Sequence, residues 1–167
     1  MGPELEFDTD FTQFVAAHQQ ALHRTAYLLV GNTAGAQDIV QTALTGVYQA
    51  WDRRDAWDSP LAYARKAVVN TVSTSMRRRW WGEVATEVLP ETASTRSTHE
   101  EVDDRDALRR LLASLPARQR TAVVLRYYLD LSEEETARAM DCAVGTVKSA
   151  TARGLAALRS GLSEVTP

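Results

Sequence analysis

Apolar positions recur at three- and four-residue spacing in block after block of this chain, which predicts an all-helical fold. Phe11, Phe14, Val15, Leu22, Ala26 and Leu29 form one stripe, and Gly31-Asn32 ends it. From near Thr33 a second stripe runs through Ala36, Ile39, Val40, Ala43, Val47 and Trp51, and the opposite face carries Asp38, Gln41, Thr45 and Gln49. Ser59-Pro60 is a helix start, a capping residue followed by a proline whose missing N–H costs nothing in the first turn. Leu61, Ala64, Val68, Val72 and Met76 supply the inner side of that third helix. Arg65, Lys66 and Asn70 lie off the stripe, and Arg77-Arg78-Arg79 closes it.

The C-terminal part carries a sharper pattern. Pro116 opens a helix in which Val124, Tyr127, Tyr128 and Leu131 are expected to form one buried stripe. Ser132 and Glu135 have the spacing of a capping box, with Glu133 and Glu134 in a first turn where the helix dipole favours acids. Thr136, Ala137 and Met140 give this short helix its apolar side, and Asp141–Val144 makes a turn. The last helix is expected to bury Val144, Val147, Thr151, Leu155 and Leu158, and to show Thr146, Lys148, Ser149, Ala152 and Arg153. Helix, tight turn and basic second helix make a helix-turn-helix, and such a face fits the major groove of DNA. The plainer alternative is a solvated face on a small helical domain.

Charge separates the chain into parts. The net charge of −3 suits a DNA binder poorly until it is divided. Residues 1–82 hold eight basic and eight acidic side chains; residues 83–104 hold Arg96 against seven acids; residues 105–161 hold ten basic against six acidic. The acidity is concentrated in 83–104, a stretch rich in Thr, Ser and Glu that reads as a linker. Fully extended, it reaches roughly 70–80 Å at ~3.3–3.6 Å per residue, enough to join two DNA sites two duplex turns apart.

All four tryptophans fall within Trp51–Trp81, interleaved with Arg53, Arg54, Arg65, Lys66 and Arg77–Arg79. Aromatic rings beside cations suit single-stranded DNA, because every base has a face to stack and the charge follows the phosphates. Against this, Trp51 lies on the core stripe, and Trp80 and Trp81 could serve only to pack a helix end. No Gly-rich phosphate loop, His-Glu-x-x-His, cysteine pair or Gly-x-Ser-x-Gly occurs, so neither enzymatic activity nor a cofactor or metal is expected. His18 and His23, five apart, read as core or boundary residues. The lone Cys142 reads as a small core residue rather than a redox sensor. No apolar run approaches a membrane span and no signal peptide is visible, which predicts a cytoplasmic protein without membrane insertion.

The run Leu115–Arg159, and MDCAVGTVKS within it most specifically, resembles the fourth conserved region of sigma-70-type initiation factors, nearest to the extracytoplasmic-function (ECF) group. DSPLAYARKAVVNTVSTSMRRRW resembles that family's −10 recognition and melting segment, in a form similar to an actinobacterial ECF branch. AQDIVQTALTGVYQAW resembles its polymerase-binding segment. The resemblance implies two small helical domains, 9–82 and 105–161, joined by the acidic linker 83–104. It implies −35 contacts from Lys148, Ser149 and Arg153 with Thr146 beside them. The −10 contacts would come from Arg53, Arg54, Trp57, Arg65, Lys66, Asn70, Arg77, Arg78, Arg79 and Trp80, with the loop Asp52–Asp58 taking a flipped base. Asp38, Gln41, Thr45 and Gln49 would bind polymerase. The implied partners are promoter DNA, core RNA polymerase (the clamp helices of its largest subunit and the flap of the second largest) and an anti-sigma factor.

In this light the acidic linker reads as a solvated tether or as a nucleic-acid mimic lying in a basic polymerase channel. Three departures from the family pattern stand out. Ala150 replaces the usual Arg, which implies one phosphate or base contact fewer; Ala143 replaces Ser or Pro at the recognition-helix start; Val69 replaces an Arg before Asn70. The alternatives are a helix-turn-helix regulator with an N-terminal sensor or dimerisation domain, and a helical interaction protein that no longer binds DNA, for which Ala150 is the motive.

Overall fold

The computed structural model describes the backbone of residues 3–80 and 100–165, and side chains within 7–77 and 106–163. Every element among the described residues is helical. The chain divides into two compact units.

The first unit is built on α1 (Pro3–Val30) as far as Tyr27, α2 (Thr33–Gln49) from Ala34 and α3 (Pro60–Trp80), with a 3-10 segment, Trp51–Ala56, before α3. Gly31, at φ +82°, ends α1 in the left-handed region that costs glycine nothing. Most positions of the predicted stripes are buried, while Phe11 and Val15 on α1 and Leu61 on α3 are half-buried. Phe14, Leu22, Ala26 and Leu29 on α1 are buried, as are Ala36, Ile39, Val40, Ala43 and Val47 on α2 and Ala64, Val68, Val72 and Met76 on α3. Each fully buried Leu or Val contributes about 1.5–3 kcal/mol of transfer free energy. The Val69 side chain is also buried, so an Arg at that position would have to leave the core. α1 starts at Pro3, ahead of Phe11 where its apolar stripe begins. The extension is held at its outer end by Phe7, edge-on to Tyr48 with centroids 5.3 Å apart, and by Asp8, which accepts the Tyr48 hydroxyl at 2.8 Å.

The second unit contains α4 (Glu100–Ser114), α5 (Ala117–Val123), α6 (Glu133–Met140) and α7 (Val144–Val165). α4 begins inside the segment expected as linker, so residues 100–104 are helical; residues 83–99 of that segment lie outside the described residues. α7 packs across α5, α6 and α4. A close approach lies at Gly154, where a Cβ would stand 2.7 Å from Val123 Cγ2 and 3.2 Å from the Gln119 carbonyl oxygen.

The expected stripe Val124–Tyr127–Tyr128–Leu131 does not form. α5 runs into a widened π turn, Val124–Tyr128, closed by the Leu129 N–H on the Val124 carbonyl at 3.1 Å. The Leu131 N–H then returns to Leu125 at 3.0 Å, and Asp130 adopts φ +54°. The extra residue per turn shifts the helical phase. Val124 and Leu125 go inside, while Tyr127 and Tyr128 are left 62% and 49% exposed. The Arg126 guanidinium donates to the Leu131 carbonyl and holds the exit of the turn.

Candidate nucleic-acid interface

The helix-turn-helix is assembled from the capping box upward. The Glu135 N–H donates to Ser132 Oγ at 3.1 Å, and the Ser132 N–H donates to Glu135 Oε2 at 2.7 Å. The Ser132 N–H, and after it the Ser132 hydroxyl, hold the Glu135 carboxyl below its ordinary pKa. Their contribution is present above the usual carboxylate range and is lost as the pH falls through the lowered value. α6 ends where Asp141 adopts φ +51° and the Asp141 and Cys142 N–H groups fold back on the Arg138 and Ala137 carbonyls, at 3.3 and 3.0 Å. Cys142 is half-buried in this turn, and burial pushes its thiol pKa up.

α7 starts with the Thr146 and Val147 N–H groups on the Ala143 carbonyl, at 3.0 and 3.2 Å. Ala143 has no side-chain oxygen to accept the N–H of Gly145 or Thr146 in the first turn. Ala143→Ser should therefore raise stability by about 1 kcal/mol, since serine and alanine differ by that much at an N-cap. Chemical denaturation followed by far-UV circular dichroism checks this, and an unchanged midpoint would show that the helix start is already satisfied.

The inner side of α7 is Val147, Ala150, Gly154 and Leu158, with Thr151 and Leu155 half-buried at its margins. Ala150 is thus a packing residue. The Cβ at 150 faces the interior, so a longer side chain there would have to bend outward to reach DNA. Val144 is half-buried rather than buried. Lys148, Ser149, Ala152 and Arg153 are exposed on the outer side and Thr146 is half-buried at its edge. At about 100° per residue these five positions span about 160° of the helix. Ser149 Oγ donates to the Thr146 carbonyl at 3.1 Å, which leaves its lone pairs outward. Lys148 Nζ lies 3.5 Å from Glu133 Oε2, so the first turn of α6 holds this cation. No spacing in the sequence points to Glu133, because the pair crosses from one helix to the other.

In the first unit, Trp51 is buried and its Nε1 donates to Asp10 at 3.1 Å. Asp10 also meets Arg54 Nε at 2.7 Å, and the Arg54 guanidinium lies over the Trp51 ring at 5.5 Å. Arg54 is therefore held within a structural network, whereas Arg53 is exposed and pairs loosely with Asp52 at 3.8 Å. Trp57 meets Trp51 edge-on and stacks flat on Tyr63, with ring centroids 3.7 Å apart and planes 3° off parallel.

On α3, Ser59 Oγ accepts the Ala62 N–H at 3.3 Å, the cap expected before Pro60. Lys66, Asn70 and Arg77 are exposed and share one side of the helix; Arg65 is also exposed, about 140° from Asn70 around the axis. The side chains of Arg78, Arg79 and Trp80, and all of Trp81, lie outside the described residues. Sequence reasoning alone misses Asp10 and Tyr63. Asp10 carries one usable signal, a carboxylate one turn before Phe14 on the aromatic stripe.

Asp38, Gln41, Thr45 and Gln49 are all exposed on α2, opposite its buried side. Thr45 Oγ1 donates to the Gln41 carbonyl at 2.9 Å. His18 lies against Phe14, its ring 5.0 Å away, as a boundary residue does.

Two helical units, one with a basic helix-turn-helix and one with a basic aromatic edge, define a candidate DNA-binding protein. Comparison with known proteins makes this specific. Residues 14–82 match the family described as sigma-70 region 2, and residues 105–158 match sigma-70, region 4. The chain is 40% identical over 162 residues to the RNA polymerase sigma-E factor of Streptomyces coelicolor, covering 97% of this chain and 89% of that one. It is 32% identical over 150 residues to the ECF RNA polymerase sigma factor SigM of Mycobacterium tuberculosis, covering 89% and 74%. The sigma factor RpoE of Bartonella quintana, solved in complex with the anti-sigma factor NepR, superposes with a TM-score of 0.65 at 26% identity over 92% of this chain and 97% of that one. This chain belongs to the sigma-70 family, in its extracytoplasmic-function group, and is a promoter-directing transcription initiation factor. The regulator reading loses its sensor domain, since the N-terminal unit matches the same family. Among the described residues no helix is long and apolar enough to cross a membrane.

Proposed function

We propose a division of labour between the two units, taken as 9–82 and 105–161. The exposed polar side of α2, with Asp38, Gln41, Thr45 and Gln49, docks on the clamp helices of core polymerase, and the second unit meets the flap. Lys66, Asn70, Arg77, Arg78 and Arg79, with Trp57, Trp80, Arg53 and Arg65, hold melted −10 DNA. Lys148, Ser149 and Arg153, with Thr146 at the edge, read −35 DNA. Arg54 supports the loop through Asp10. The protein works in the cytoplasm, carries no catalytic residue of its own, and is held when idle by an anti-sigma protein. The RpoE–NepR complex of the Bartonella relative supports that last partner.

The observation that carries the proposal is the outer side of α7, where cations and a hydroxyl stand exposed directly opposite its buried side. Run-off transcription with purified core polymerase on a genomic promoter library tests it and returns the promoter. Changing Arg77, Arg78 and Arg79 together to alanine should weaken open-complex formation, read by permanganate footprinting, more than binding to core. Equal loss in both assays would remove these arginines from the DNA interface.

A further inference from the structure

Two cations mark the two edges of the outer side of α7. Lys148 and Arg153 stand about 140° apart around the helix axis, with Ser149 and Ala152 between them. Their surroundings differ, because Lys148 Nζ lies 3.5 Å from Glu133 Oε2. Glu133 opens α6, and the Ser132–Glu135 capping box fixes that turn. Of the three acids in the turn, Glu135 serves the cap and Glu133 reaches α7, its side chain 35% exposed. α6 packs on α7, with Thr136, Ala137, Met140 and Val147 buried, so the backbones that carry the pair are fixed.

In a helix-turn-helix on DNA the second helix enters the groove and the first crosses the backbone. The start of the crossing helix ordinarily attracts phosphate through its free N–H groups and its dipole. Here the Glu135 N–H is taken by Ser132, and three carboxylates stand in the turn. A lysine at this edge would by itself meet the strand as a flexible point charge, an attraction equal for every sequence. The Glu133 carboxylate takes the place of a phosphate and neutralises the ammonium in advance. The ammonium has three N–H donors, and guanine offers O6 and N7 in the groove. Lys148 can therefore keep Glu133 and still meet a base edge.

We propose that Glu133 is a specificity-determining positioning residue of the −35 interface. It holds Lys148 off the phosphates and leaves it for a base edge, which lowers affinity for DNA at large and raises preference for the right promoter. This rests on the reading of α7 as the −35 reader.

The test uses holoenzyme assembled from the full chain and core polymerase, on a promoter returned by the run-off screen and on its single-base −35 variants. Equilibrium binding is measured across a salt series. E133Q removes the charge and keeps the size. It should bind every sequence more tightly at low salt and raise the salt slope by about one, as Lys148 goes to a phosphate. Preference at one −35 position should fall about fivefold, the lower end for one base contact. In a K148A background the same change should alter no position's preference, and binding to core should stay the same in every variant. Unchanged preference in E133Q, with K148A or R153A still weakening −35 binding, would overturn the proposal and leave an ordinary surface pair on a true −35 reader. An equal fall in preference in the K148A background would overturn it as well, because Glu133 would then touch DNA itself. Uniform weakening by E133Q on all sequences would also overturn it and make the carboxylate a support for the fold. If neither K148A nor R153A changes −35 binding, the −35 reading fails and takes the proposal with it.

Discussion

Gly154→Val should destabilise the second unit by about 2–3 kcal/mol, within the range for overpacking a close helix contact. The Cβ would start 2.7 Å from Val123 Cγ2 and 3.2 Å from the backbone oxygen of Gln119, and that oxygen belongs to α5 and cannot rotate away. Ala150, one turn earlier on the same buried side, is also small, so the two positions together let α7 lie close to α5. Gly161→Ala is the control. Its Cβ would run into Leu111 Cδ2, the far end of a flexible side chain, so the neighbour turns aside and the helix gains up to about 1 kcal/mol of propensity. Urea unfolding of the full chain by far-UV circular dichroism compares the two. A Gly154→Val midpoint no lower than that of Gly161→Ala would show that α5 and α7 separate without cost. Because α5 supports the helix that carries Lys148 and Arg153, promoter-dependent transcription should fall with the stability.

These small residues show why part of the interface is legible in the sequence and part is not. Periodicity locates α1, α2, α3 and α7 because each buries one continuous side, and Ser132-x-x-Glu135 locates the start of α6 because a capping box is local chemistry. Tyr127 and Tyr128 are misplaced by periodicity for the opposite reason. Their phase depends on a π turn set by the Val124 and Leu125 carbonyls, and no residue type announces that bond pattern. The start of α4 at Glu100 is hidden by an acidic composition shared with the preceding segment. Ala150 reads as a missing cation because the resemblance assigns a residue type and says nothing of the direction in which a side chain points. The pairs that complete the candidate sites, Asp10 with Trp51 and Arg54, Trp57 with Tyr63, and Lys148 with Glu133, join separate elements. Such contacts follow from packing, which a single sequence does not encode as a spacing.

The Glu133–Lys148 pair also shapes what is expected of the recognition helix. Arg153 makes no ion pair among the described residues, and its substitution by alanine should leave folding within about 0.5 kcal/mol, as exposed changes usually do. If it grips a base edge, −35 binding should weaken by about 1–3 kcal/mol with relaxed preference at one position. If it touches phosphate, the loss should be uniform across sequences and the salt slope should fall by about one. Lys148 differs because Glu133 lies 3.5 Å from it. Lys148 is exposed and Glu133 half-buried, so the pair's own contribution to stability is at most about 1 kcal/mol. Removing the lysine, however, leaves a carboxylate facing the DNA. Lys148→Ala should therefore lose more affinity than one phosphate contact accounts for, and the double variant Lys148→Ala/Glu133→Gln should recover part of the loss. Salt titrations of holoenzyme on −35 variants separate these outcomes. A double variant no better than Lys148→Ala would show that Glu133 does not feel the DNA. Wild-type binding by both Lys148→Ala and Arg153→Ala would take this face of α7 away from the promoter.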